Sequence, residues 1–187
     1  GISVISADGL LIEDTVMRET GPADPSAGID IEPNYPGQVI RNIVMRNCLT
    51  TNNASSGYCI VPNYFNSDSD KVSITFENCR SIDDAGHGFT YHGAFGRKSG
   101  YDAEIPYRES DVVLKNCSFV RSGRQAVSIF NRPLSSGSFV MENCLIDNCG
   151  IDKPDDADVS VCVTGHEGYE PYVVDFRNVT IRQGKAR

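Results

Sequence analysis

The stretch IVMRNC at residues 43–48 returns five more times along the chain in altered form. The other copies are LLIEDT at 10–15, ITFENC at 74–79, VVLKNC at 112–117, FVMENC at 139–144 and VDFRNV at 174–179. Measured between their Asn or Asp positions, consecutive copies lie 33, 31, 38, 27 and 35 residues apart. A constant unit joined by segments of variable length is typical of a repeat protein.

Aligned copies of this first motif form columns of one chemical kind. The residues two and four positions before the Asn or Asp are apolar in every copy, which predicts a strand with one buried face. The residue just before it is always charged and alternates in sign, which predicts an exposed face where neighbouring strands attract each other weakly. This charged column is Glu13, Arg46, Glu77, Lys115, Glu142 and Arg177.

The Asn column itself predicts a ladder, because stacked side-chain amides can donate and accept hydrogen bonds along the stack. The column that follows it contains Cys48, Cys79, Cys117 and Cys144. We predict free buried thiols at these positions, packed as small apolar side chains. A disulfide between cysteines of neighbouring copies is the alternative, since adjacent strands are about 4.8 Å apart.

A second motif follows each copy of the first. It reads GIDIEP at 28–33, GYCIVP at 57–62, GFTYHG at 88–93, AVSIFN at 126–131 and SVCVTG at 160–165, and GISVIS at 1–6 fits the same pattern. Two strands per unit without helical periodicity predict a solenoid of parallel strands, because a doubly wound α/β fold needs crossover helices. We therefore expect a single β domain over residues 1–187 with about six coils.

The two motifs resemble those of right-handed parallel β-helix proteins of the pectin-lyase-like group, over nearly the whole chain. The resemblance implies an all-β, right-handed parallel β-helix with a substrate groove along the second-motif strands. That scaffold serves polysaccharide lyases, glycoside hydrolases, epimerases and phage tailspikes, so several glycan-directed functions are open. Because solenoid ends need caps and neither end has one, we expect a part of a longer chain, truncated at one or both ends. Glycans are mostly extracellular, so we expect the parent protein to be secreted, periplasmic or on the cell surface.

The composition limits the classes of partner that the protein can bind. The chain has 25 acidic and 17 basic residues, a formal net charge of −8 and a pI near 4.8, which disfavours nucleic-acid binding. No apolar run reaches the length of a transmembrane helix. The absence of a CxxC pair argues against a zinc site. We expect a polysaccharide or oligosaccharide as the partner, and neither nucleic acid nor membrane.

Asp30 and Glu32 are the candidate catalytic pair. Two positions apart on one strand, they point away from the core on the same side, with Cα atoms roughly 6.6 Å apart. Glycoside hydrolysis needs two carboxyl groups, one as acid and one as base or nucleophile. The same pair could instead bind Ca²⁺, which prefers oxygen ligands, or form a solvated acidic spot. His92 lies two strands further, about 9–10 Å away, as a general acid/base or substrate contact.

Basic and aromatic residues near His92 predict contacts to an acidic sugar, because Arg binds carboxylates in a bidentate way. We predict these contacts in a long loop over 93–110 and in the turns beside it. The candidate substrate-binding residues are Asp84, His87, Arg97, Tyr101, Arg108 and Arg124. Cys59 also faces outward, but a neighbouring carboxylate disfavours its thiolate, so we expect it to be covered and not nucleophilic.

These residues favour a carbohydrate-active enzyme that cleaves a polysaccharide. In a hydrolase, Asp30 and Glu32 would be the acid/base pair and His92 a substrate contact. In a lyase or epimerase, His92 or a loop tyrosine would remove the proton next to a uronate carboxylate. Arg97, Arg108 or Ca²⁺ would then neutralise that carboxylate. A glycan-binding β-helix without catalysis, like a tailspike or adhesin, and a structural spacer are the alternatives.

Overall fold

The computed structural model shows an all-β solenoid built from three parallel six-stranded sheets. It describes residues 1–62, 64–65, 68–92, 107–130, 135–150, 159–164 and 173–183, without the side chains of 107–109, 130, 135, 136 and 164. Every coil contributes one strand to each sheet in a fixed order, and each strand pairs in parallel with its equivalents in the neighbouring coils. The predicted parallel β-helix is therefore confirmed.

The three sheets follow the two sequence motifs and one further segment. Sheet 1 contains the second-motif strands β1 (Ile2–Val4), β5 (Ile29–Ile31), β9 (Tyr58–Ile60), β12 (Phe89–His92), β15 (Val127–Phe130) and β18 (Val161–Thr164). Sheet 2 contains the first-motif strands β3 (Leu11–Glu13), β7 (Ile43–Arg46), β10 (Val72–Glu77), β13 (Tyr107–Lys115), β16 (Ser135–Glu142) and β19 (Val173–Arg177). Sheet 3 contains β4 (Val16–Arg18), β8 (Leu49–Thr51), β11 (Arg80–Ile82), β14 (Ser118–Val120), β17 (Leu145–Asp147) and β20 (Thr180–Arg182). The short strands β2 (Ala7–Asp8) and β6 (Ile40–Arg41) pair beside them.

Sheet 3 corrects the expectation of two strands per coil. Its strands have three residues each, so only the central residue points inward. That residue is Met17, Thr50, Ser81, Phe119 or Ile146 in the first five coils, a mixture of polar and apolar types. A strand with one inward position of mixed polarity has no detectable hydrophobic period, and the sequence pattern therefore conceals it.

The Asn column forms the corner between sheets 2 and 3. All six of its residues, Asp14, Asn47, Asn78, Asn116, Asn143 and Asn178, have φ between 50° and 54°. Asn and Asp are the residue types other than Gly that adopt this left-handed conformation most readily, which explains the column. The amides also bond along the stack: Asn47 Nδ2 donates to Asp14 Oδ1 at 3.0 Å, and Asn78 Nδ2 donates to Asn47 Oδ1 at 3.3 Å. The predicted ladder is confirmed.

The cysteine column is buried, and all seven cysteines of the chain are free thiols. These thiols also form hydrogen bonds: Cys48 Sγ donates to the Ile12 carbonyl of the preceding coil at 3.4 Å, and Cys79 Sγ donates to the Met45 carbonyl at 3.4 Å. The thiol thus serves two needs at the corner, since it fills a small apolar space and satisfies a buried carbonyl.

The charged column of sheet 2 is half-buried at Arg46, Glu77 and Glu142 and exposed at the other three positions. Arg46 contacts Glu13 at 3.0 Å and Glu77 at 2.9 Å. Inside the coils, Phe76 packs edge-to-face between Tyr58 and Phe89, with ring centroids 5.4 Å apart in both pairs. This packed interior holds sheet 1 in a fixed position. Within the described residues, no helix is long and apolar enough to span a membrane.

Candidate functional site

The outer face of sheet 1 carries a row of residues in register across all six strands. The row is Ser3, Asp30, Cys59, Thr90, Ser128 and Cys162. These side chains point away from the core, yet Asp30 is 5% exposed, Thr90 2% and Ser128 1%. A solvated strand surface would leave them open to water. The face that the sequence marked for function is therefore sheltered at Asp30, Thr90 and Ser128, half-buried at Cys59 and Cys162, and exposed at Ser3.

Asp30 has the most perturbed environment on this face. Burial and, next, the nearby charge of Glu32 raise the pKa of its carboxyl to about 6 against the opposing effect of a hydrogen bond from Cys59. Asp24 contributes a smaller repulsion. The carboxyl therefore holds a proton up to near-neutral pH, beside the half-buried Glu32. Two adjacent carboxyl groups in unequal environments can supply one proton donor and one carboxylate.

Cys59 occupies the next strand of the same row. Burial and the charge of Asp30 raise the pKa of its thiol well above the usual value. The group therefore stays protonated and is a poor nucleophile, as expected from the sequence.

The Ca²⁺ alternative has two candidate ligands, Asp30 and Glu32. Among the residues that the structure describes, no three His, Cys, Asp or Glu side chains come together to hold a metal ion. Calcium takes about six to eight oxygen ligands. A carboxyl that retains its proton is also a weaker ligand, so this pair fits proton transfer better than metal binding.

Three predicted basic residues lie together two to three strands beyond Glu32. His92 ends β12, and His87 and Arg124 lie in the turns that lead into β12 and β15. Burial, with a smaller contribution from the charges of Arg124 and His92, lowers the pKa of His87 to about 4. His87 is thus neutral at physiological pH. Within the described part of the chain, its Nδ1 and the Oγ1 of Thr90 are buried without a hydrogen-bond partner.

Asp84 corrects the expectation of a substrate contact, because it belongs to the interior. It is 1% exposed, and its Oδ1 accepts hydrogen bonds from the backbone N–H and the Nδ2 of Asn53 at 3.0 and 2.8 Å. Its Oδ2 accepts from Thr50 Oγ1 at 2.8 Å and Ser81 Oγ at 2.7 Å. These four bonds occupy the carboxylate, which stabilises the turn into sheet 1. The neighbouring Asp83 points outward instead and pairs with Arg121 at 2.6 Å.

The predicted loop over 93–110 is wrong for residues 107–110, and residues 93–106 lie outside the described part of the structure. Its last four residues begin β13, where Tyr107 pairs with Ser135 and the register shifts before Ser110. Arg108 is therefore a strand residue, and its side chain lies outside the described part of the structure. Arg97 and Tyr101 also lie outside the described residues, so their roles stay predictions.

Two exposed tyrosines were missed at the sequence level. Tyr35 is 69% exposed and Tyr64 is 37% exposed, each in the turn that leaves sheet 1. The available signal was the repeated PNY at 33–35 and 62–64. It begins at the last residue of the second motif and runs into the variable segment that follows.

Comparison with known proteins identifies the fold family. The sequence model of the family described as the right-handed β-helix region matches residues 1–181. A search of curated proteins found no significant match, and neither did a search of solved structures. The family match covers all three sheets and agrees with their parallel pairing in successive coils. The chain belongs to the right-handed β-helix family.

Proposed function

We propose that the protein binds a polysaccharide along the outer face of sheet 1 and hydrolyses it. The observation that carries this proposal is the sheltered carboxyl of Asp30, whose pKa of about 6 places its proton loss near neutral pH beside Glu32. A carboxyl group that keeps its proton to such a pH is suited to protonate a leaving group.

The chemistry assigns one role to each carboxyl. Asp30 donates its proton to the glycosidic oxygen as the bond to the anomeric carbon breaks. Glu32, as the carboxylate, either activates the attacking water or attacks the anomeric carbon itself. In the second case, water later releases the sugar and Asp30 regains its proton. His92 then serves as a contact to the sugar further along the face.

The charges along the face favour a particular arrangement of substrate. Asp24, Asp30 and Glu32 make one end acidic, whereas the guanidinium of Arg124, beside the imidazoles of His87 and His92, makes the other end basic. The two ends are separated by about two strand spacings, roughly 9–10 Å. A carboxylated sugar would be attracted to the basic end despite the net charge of −8.

The test is a substrate panel of polyuronates and neutral glycans, with new reducing ends and the ultraviolet absorbance of unsaturated products measured together. We expect reducing ends without absorbance from the wild type and no product from the Asp30→Asn, Glu32→Gln double variant. Asp83→Asn is the matched control, because it changes an exposed carboxylate on another part of the coil. Full activity in the double variant would refute the assignment, and absorbance at unsaturated products would indicate a lyase.

A second candidate function is glycan binding without cleavage. The 5% exposure of Asp30 favours it, because so sheltered a carboxyl offers little room for a glycosidic oxygen. This alternative predicts measurable glycan affinity in the wild type and the double variant alike, with no product from either.

A further inference from the structure

The turns that leave β5 and β9 repeat one sequence at one position. Ile31 and Ile60 are partners in the parallel ladder, and each is followed by one residue and then by PNY. Proline has no N–H for the ladder, so Pro33 and Pro62 end strand pairing at the same level. Tyr35 and Tyr64 therefore follow equivalent points of adjacent coils, which are about 4.8 Å apart at the strands.

Each tyrosine is carried on a turn with its own hydrogen bonds. The backbone N–H of Gln38 donates to the Tyr35 carbonyl at 3.1 Å, and Gln38 Oε1 accepts from the N–H groups of Asn34 at 2.5 Å and Tyr35 at 3.1 Å. In the next coil, the N–H of Phe65 donates to the Pro62 carbonyl at 3.1 Å. Phe65 is buried in the core, which anchors that turn. Fixed turns that leave the aromatic side chain outside present it at a low cost in conformational entropy.

The position of these tyrosines and the charges of the residues around them indicate what they bind. A tyrosine ring offers a flat apolar face and a hydroxyl that stays in water, which suits the alternating apolar and polar faces of a sugar. The adjacent strands that lead into the two turns are about 4.8 Å apart, close to the length of one sugar unit in an extended chain. Glu32 lies three residues before Tyr35, and both Glu32 and Asp24 lie close enough to Asp30 to act on its carboxyl. These acidic residues repel carboxylated sugars, so the tyrosines favour neutral sugars.

We infer that Tyr35 and Tyr64 form a stacking platform for consecutive neutral sugars of a glycan that runs along the solenoid axis. The inference rests on the proposed function, and it adds a binding element to the acid end of the face. Together with the basic end at Arg124, it indicates a polysaccharide that contains both neutral and carboxylated sugars.

The experiment measures binding of neutral hexasaccharides of glucose, mannose, galactose and xylose, and of an oligogalacturonide, by isothermal titration calorimetry. We expect Tyr35→Ala and Tyr64→Ala each to weaken binding of the preferred neutral saccharide roughly tenfold. The Tyr→Phe variants should stay within about twofold, because the ring face is retained. Val16→Ala is the matched control, since Val16 is 58% exposed on sheet 3, away from this face. Hydroxyl-radical footprinting should show protection of Tyr35 and Tyr64 by the bound saccharide.

The outcomes separate the platform from the proposed function. Tyrosine-dependent binding without any product would uphold the platform and refute cleavage. Saccharide binding that neither Ala variant weakens, or that protects neither tyrosine, would overturn the platform and leave cleavage to its own assay. A wild type that binds no saccharide of the panel would overturn both.

Discussion

Replacing Asp30 by Asn should stabilise the protein at neutral pH, and the gain should grow with pH. The carboxyl has a pKa of about 6 in the folded chain against 3.8 for an unperturbed Asp. The folded state therefore binds its proton more tightly, so stability from this group is present below pH 3.8 and is lost as the pH rises through 6. By this linkage, the ionised carboxylate destabilises the fold by about 3 kcal/mol at pH 7.5 and by about 1.6 kcal/mol at pH 5.

The assay is urea unfolding of wild type and Asp30→Asn between pH 5 and 7.5. The difference in free energy of unfolding should increase by about 1.4 kcal/mol across this range in favour of the variant. Asp83→Asn is the control, because an ion pair with Arg121 lowers the pKa of Asp83 and places its titration below the range. A difference between wild type and Asp30→Asn that does not change with pH would refute the reasoning, and with it the assignment of Asp30 as the proton donor.

The remaining predictions concern the scaffold beneath the site. Asp84→Ala should lower the free energy of unfolding by about 3–5 kcal/mol in urea denaturation, because it removes the acceptor of four buried hydrogen bonds. Asp83→Asn should cost less than about 1 kcal/mol, and equal costs would contradict the burial of Asp84. Gly57→Ala should destabilise the same turn by about 1–3 kcal/mol in the same assay, because the added Cβ would lie 2.6 Å from Asp84 Oδ2. An unchanged unfolding midpoint would contradict that contact. Asn78→Ala should cost about 1–2 kcal/mol and Asn78→Gly less, because only Gly restores the freedom to adopt φ 54°; a reversed order would contradict the corner conformation. Cys59 should resist alkylation by iodoacetamide at pH 8 in the folded protein and react in urea, as measured by mass spectrometry, and rapid labelling of the folded state would contradict its raised pKa.

The sequence predicted the repeat and its corners because those features depend on local chemistry. A charged column, an amide column and a thiol column each occupy one position in every coil, so their roles follow from alignment alone. The sequence did not predict sheet 3, because a three-residue strand has a single inward position and that position is polar in two coils, at Thr50 and Ser81. Three-strand coils were therefore beyond what periodicity could indicate.

The candidate site was only partly predictable. Alternation along the second motif correctly put Asp30 and Glu32 on the outer face, but it could not show that Asp30 is sheltered or that its pKa is raised. The adjacent Asp83 and Asp84 look alike in sequence, yet one points to water and the other into the core. That difference arises because the positive φ of Asp83 turns the chain at a second corner. Only the tertiary structure separates such neighbours.

The most direct test of the central claim is the rate of appearance of new reducing ends from the preferred polysaccharide, measured against pH for the wild type and Asp30→Asn. If Asp30 is the proton donor, the wild-type rate should fall as the pH rises above about 6, and the folded variant should bind the glycan without releasing product. Undiminished cleavage by Asp30→Asn, or a wild type that binds the glycan and never cleaves it, would contradict the account.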